Sequence, residues 1–179
     1  MKALSILIAA GLATAASAQG NMTLTWTVSD TGDQDGIIET GESALLTLSA
    51  KMTPVFFMPP LIGFAGTTYD IIGGQNWATG TLVSYDNKLD ALTGDGTLIG
   101  YNDIVDIESF QLPPDFNNVF YVDNPIVLYT ITWTPDTYTP RTVEVTSMNH
   151  NGFFVYTSLG GSTASYFGVA NGISFDVRP

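Results

Sequence analysis

The densest chemistry in this sequence lies in residues 29–52, SDTGDQDGIIETGESALLTLSAKM. Asp30, Asp33, Asp35, Glu39 and Glu42 are carboxylates on a stretch broken by Gly32, Gly36 and Gly41. Calcium takes six to eight hard oxygen ligands on a loop that turns sharply. With Gly36 at the sharp-turn position of an EF-type loop, Asp35 and Asp33 fall on the fifth and third positions. Ile37 then offers a carbonyl oxygen from the seventh, and Glu39 and Glu42 fall on the ninth and twelfth. The first position is Thr31, with Asp30 one residue early. Ca2+ is therefore the expected cofactor, held by Asp30, Asp33, Asp35, Ile37, Glu39 and Glu42. The competing reading is a solvated acidic turn, since Asp and Gly are good turn residues in their own right.

Other chemistry is sparser. His150 is the only histidine, and its Asn-His-Asn-Gly context reads as a turn. No nucleophile motif accompanies it, so a Ser-His-Asp site is not expected. Asp103, Asp106 and Glu108 include enough carboxylates for glycosidic cleavage but read more simply as the polar face of one segment. Trp77, beside Gln75 and Asn76, is a candidate sugar-stacking ring; its other reading is core packing. No catalytic residues are expected, and the chain reads as a non-enzyme.

The elements that position these residues are strands. In 23–29, TLTWTVS, Leu24, Trp26 and Val28 alternate with hydroxyl residues, which is the period of a half-buried strand. The same period runs through 43–52, 62–72, 78–85, 126–134, 141–147, 153–157, 166–169 and 172–177. Residues 101–112 fit a strand or a helical turn and are read as a strand. Residues 88–100 read as a loop, Asn149 to Gly152 as a tight turn, and Pro113-Pro114 and Gly160-Gly161 as breaks. Trp26 and Trp133 face inward. About nine or ten strands with turn signals between them, and no convincing helix, make an all-β antiparallel sandwich.

Composition narrows the class. Residues 1–18 have a charged start at Lys2, a short apolar run and an Ala-Ser-Ala cleavage site, the pattern of a secretory signal. The mature part, 19–179, is expected to be one domain. It contains no apolar stretch long enough for a transmembrane span. Seventeen acidic against five basic residues give a net charge of −12, which repels nucleic acid and anionic membranes. There is no cysteine, so neither disulfides nor thiolate chemistry is used.

Two resemblances follow from particular stretches. GESALLTLSAKM (41–52), FAGTTYDI (64–71), LYTITW (128–133) and ISFDV (173–177) occur in the order of cohesin-like bacterial sandwiches, a class that adjoins carbohydrate-binding modules. That resemblance implies a jelly-roll-like sandwich of nine strands. GFAGTTYDIIG (63–73), IESFQLPPDFN (107–117), NPIVLYTITWTPDTYTPRTVEVTS (124–147) and GISFDV (172–177) are similar to secreted planctomycete-type proteins with a PEP-CTERM sorting tail. That resemblance implies export and placement at the surface or in the matrix. The end, Asp176-Val177-Arg178-Pro179, departs from the group's sorting tail, so a truncated or released member is expected. The functional expectation is a non-enzymatic extracellular or cell-surface module for adhesion, matrix or protein–protein binding. The alternative is a carbohydrate-binding module, and a hydrolase comes third. The expected partner is an extracellular protein or a polysaccharide.

Overall fold

Apolar residues at every second position decide which side of each strand is buried, and the two-sheet architecture follows from pairing those sides. The computed structural model describes residues 21–53, 63–89, 94–111, 125–156, 163–166 and 168–179. The signal at 1–18, the proline-broken link at 55–61 and the breaks at 113–114 and 160–161 lie outside the described residues.

In chain order the strands are β1 (Asn21–Asp30), β2 (Ala44–Thr53), β3 (Gly63–Gly73), β4 (Gly80–Asn87), β5 (Thr97–Leu98) and β6 (Ile104–Phe110). Then come β7 (Ile126–Pro135), β8 (Arg141–Tyr156), β9 (Thr163–Tyr166), β10 (Gly168–Ala170) and β11 (Gly172–Val177). One sheet has the order β10-β1-β2-β7-β4, and the other has β11-β8-β3-β6-β5 with β9 on β8. Pairing is antiparallel except where β10 lies parallel to β1. The two short 3-10 turns, Trp77–Thr79 and Gly100–Asn102, are the helical pieces among the described residues. This is an antiparallel β-sandwich of jelly-roll type.

The core sits between the sheets. Leu24, Trp26, Leu46, Leu48, Ile131 and Trp133 come from the first sheet. They meet Tyr69, Ile71, Ile107, Val143, Val145 and Phe175 from the second. Trp26 and Trp133 are inward, as their strand positions predict. A buried polar staple crosses the same space. The Tyr69 hydroxyl and Ser109 Oγ lie 2.8 Å apart. Ser109 donates to Asn87 Oδ1 at 2.8 Å. Burial pushes the Tyr69 phenol well above its usual range.

Two local readings are corrected. The tight turn expected at Asn149 to Gly152 is a bulge inside the continuous strand β8. Strand β3 pairs on both sides of it, Thr67 with Phe153 and Tyr69 with Asn149. The turn chemistry is real but serves the bulge: Gly152 takes φ 77°, and its N–H donates to Asn149 Oδ1 at 2.7 Å. Within the stretch read as a loop, Thr97 and Leu98 form a short edge strand on β6.

Candidate functional site

The acidic loop joins β1 to β2 and is organised by Asp30, which is buried. Its Oδ1 accepts the N–H groups of Gly32 and Gln34, each at 2.8 Å. Its Oδ2 accepts Gly36 N–H at 2.8 Å. These bonds, that of Gly36 foremost, hold its carboxyl below the usual carboxylate range against the opposing effect of burial. Ile38, fully buried, anchors the far side of the loop in the core. Its backbone bridges Val177 of β11: Ile38 N–H donates to Asp176 O at 2.8 Å and Arg178 N–H to Ile38 O at 2.9 Å. The loop therefore ties the edge of one sheet to the other.

Of the sequence-expected ligands, the structure brings together Asp30, Asp33 and Asp35. A carboxylate oxygen from each lies within 4.8 Å of the others. Glu39 and Glu42 fall outside that trio among the described residues. One Glu42 oxygen accepts Glu39 N–H at 2.9 Å. Its carboxylate also folds over Gly32, where a Cβ would meet Oε1 at 1.6 Å. Ile37 N–H donates to Asp35 Oδ1 at 2.7 Å. The trio is a hard-oxygen set of the kind calcium takes. With Oδ1 of Asp30 accepting two bonds and Oδ2 one, lone-pair capacity remains on Oδ2.

Trp77 corrects the sugar-stacking reading. Its side chain is fully buried and stacks on Trp133, with centroids 5.5 Å apart and planes at 14°. Its Nε1 donates to Asn102 O at 2.9 Å, and its own carbonyl accepts Trp133 Nε1 at 3.0 Å. The stack needs glycine on either side: a Cβ at Gly73 would lie 2.0 Å from Trp77, and one at Gly80 would lie 2.3 Å from Trp133. A ring held this way has no face left for a ligand. Gly73, which precedes it, leaves the space that the indole fills.

The two outward faces carry different chemistry. On the first sheet, register lines up Thr27, Thr47 and Thr130, and beside them Ser29, Leu45, Thr132 and Ser84. These rows are mostly hydroxyl-lined; Leu45, 37 % exposed, interrupts one, and Asp86 pairs with Thr130 at the end of the other. On the second sheet, Phe110 and Phe154 both pair with Gly66 and stack across it at 6.4 Å. A Cβ at Gly66 would meet Phe110 at 2.0 Å. Met148, 53 % exposed, lies on the same outward face opposite Asp70, four residues along β3 from Gly66. Around it stand Asp70, Glu108 and Glu144 on the same outward side of β3, β6 and β8. His150 Nε2 lies 2.9 Å from Asp70 Oδ2, and Asp70 Oδ1 accepts Asp106 N–H at 3.0 Å. That pair is a rim contact; among the described residues no hydroxyl nucleophile is hydrogen-bonded to His150. Sequence reasoning missed Phe110 and Phe154 because they lie 44 positions apart and meet only through the pairing of β3 with both neighbours.

No family model matches the chain, and no curated protein matches it. Solved structures do. The chain is similar to the seventh ScaB type I cohesin from Pseudobacteroides cellulosolvens, with a TM-score of 0.59 and 11% identity over 87% of this chain and 90% of that one. It is similar to the cohesin module of a family 33 glycoside hydrolase from Clostridium perfringens, with a TM-score of 0.51 and 10% identity over 90% and 98% of the two chains. A CaDoc0917–CaCohA2 complex gives a TM-score of 0.53 and 10% identity over 88% and 100%. At such identities the likeness is one of fold: this chain is a cohesin-like β-sandwich.

Proposed function

We propose that this protein is an exported, non-catalytic docking module that binds a protein partner through the outward face of the β11-β8-β3-β6-β5 sheet. The observation that carries the reading is the composition of that face, an aromatic pair over Gly66 and, further along β3, an exposed methionine among carboxylates. Binding surfaces concentrate energy in aromatic and Met anchors at a dry centre with a polar rim. The acidic rim asks for a partner whose apolar anchor is flanked by Lys or Arg. Similarity to cohesin structures, one of them solved as a two-protein complex, supports the reading. The signal-like residues 1–18 support export.

The test is retention of proteins from the organism's own culture medium on the immobilised chain. The variants are Met148→Asp on the proposed face and Thr132→Lys on the other. The reading expects a retained protein that is lost at least tenfold with Met148→Asp, is released by salt and is indifferent to Thr132→Lys. Equal retention by all three chains would contradict it.

A finer part of the proposal is that calcium braces the β1–β2 loop. The Asp30, Asp33 and Asp35 carboxylates support it, because clustered like charges favour a divalent counter-ion. Calcium at about 100 times its dissociation constant adds roughly 2.7 kcal/mol to a protein that binds it only when folded. The unfolding midpoint should then rise by several degrees over EGTA, and Asp35→Ala should remove the rise. An unmoved midpoint would leave an acidic turn.

A further inference from the structure

Among the described residues, four non-glycine residues have left-handed backbone: Gln34, Tyr101, Asn102 and Asp106, with φ between 55° and 67°. Three of them are tied down by hydrogen bonds that the conformation makes possible. Gln34 N–H reaches Asp30 at 2.8 Å, and Asp106 N–H reaches Asp70 at 3.0 Å. Asn102 Nδ2 donates to the carbonyls of Trp77 and Gly80, at 3.0 and 2.8 Å. Tyr101 stands apart. It holds φ 67° and ψ 25° with its side chain 79 % exposed, and it makes no side-chain hydrogen bond among the described residues. A bulky residue in this region is strained, and strain that is held in place by its neighbours collects at functional sites.

What holds it is also visible. The buried Trp77 grips Asn102 from both sides, through its Nε1 to Asn102 O and through its carbonyl to Asn102 Nδ2. Ile99 N–H closes the turn onto Asp103 O at 2.8 Å. Tyr101 is thus fixed, ring outward, beside an open groove of about 380 Å³. Gly73, Gly74 and Ala78 form the small floor of the groove, while Gln75 and Asp103 bring an amide and a carboxylate. Asp103 is immobilised by Gly73 N–H at 2.9 Å from its Oδ1.

We propose that this groove is a subsite for a pyranose ring of a neutral polysaccharide, at the Gly73 end of β3 and away from the Phe110–Phe154 pair. An exposed aromatic ring on a held turn, beside an amide and an anchored carboxylate, is the composition of a small-ligand site. The Tyr101 ring offers its face to the C–H side of the sugar, and the Gln75 amide and Asp103 carboxylate take its hydroxyls. Asp103, the lack of any basic residue among the lining residues and the net charge of −12 select against uronic acids, sulfated glycans and phosphates. Trp77 is then a positioning residue that holds the turn presenting Tyr101.

The test is electrophoresis of the full chain through gels containing xyloglucan, glucomannan or hydroxyethyl cellulose, with retention on cellulose and chitin beside it. The wild type should be held back by at least one of these polymers, and Gln75→Ala and Tyr101→Ala should weaken the effect at least tenfold. Tyr101→Gly separates binding from folding. Glycine relieves the left-handed strain, so the unfolding midpoint should rise by about 2–4 °C while retention is lost. A wild type that no polymer retards would overturn the proposal. So would a Tyr101→Gly variant that is retained as before, or one that loses only the culture-medium protein captured by the opposite test.

Discussion

The two outward faces of this sandwich are built by one alternation rule and differ in what that rule leaves outside. On the β10-β1-β2-β7-β4 sheet many outward positions are Thr and Ser in register, such as Thr27, Thr47 and Thr130, with Leu45 and Val127 exposed among them. On the other sheet they are carboxylates around Phe110, Phe154 and Met148. Threonine suits an exposed strand because its branched side chain fits the pleat while its hydroxyl stays wet. Such rows fill the pleat while keeping their hydroxyls wet. The second face departs from that economy. It leaves an aromatic pair half-buried over Gly66 and a methionine in solvent, at some cost in solubility. The difference shows that one fold and one alternation rule can leave two faces of different composition.

The comparison can be tested from the core outward. Trp133 packs on Trp77 and Phe175 between the sheets, so Trp133→Ala should destabilise by about 3–5 kcal/mol. A thermal melt should show both faces lost in one transition, and two separate transitions would mean that the sheets are independent. A smaller loss is expected at the loop that ties the sheets together. Asp30 has a depressed carboxyl pKa when folded, so its stabilisation is complete above the ordinary value near 3.8. It is lost as the pH falls through the depressed value. Asp30→Asn should therefore melt lower than wild type at pH 7, with the gap closing below about pH 4. A gap that stays constant down to pH 2 would contradict the assignment. The smallest effect belongs to the hydroxyl face. Thr47→Val keeps the branched shape and should change stability by under ~0.5 kcal/mol and leave partner retention untouched.

Period-two alternation made most strands legible, because a half-buried strand has to write its burial into every second residue. The inward placement of Trp26 and Trp133 followed from it. The loop was legible in composition but not in register. Counting from Gly36 puts Thr31 first, whereas the chain turns around Asp30, whose backbone bonds depend on a conformation that spacing cannot reveal. The Asn149 to Gly152 bulge was hidden because the same Asn-Gly chemistry serves a turn or a bulge, and only pairing with β3 decides between them. The core place of Trp77 was hidden for a similar reason. Burial of the indole depends on Gly73 and Gly80, which lie on either side of it in the chain and make room for rings in space. The planctomycete-type resemblance rests on stretches of sequence, and the described strands speak to the sandwich alone.

The most direct test of the docking face is photo-cross-linking in the organism's culture medium, with a benzophenone amino acid at position 148 in one chain and at position 132 in another. Position 148 lies on the same sheet face as the aromatic pair, opposite Asp70, and position 132 lies on the other face. The account predicts a discrete adduct with another protein from position 148 and none from position 132. Adducts from position 132 alone, or the same adducts from both, would contradict it.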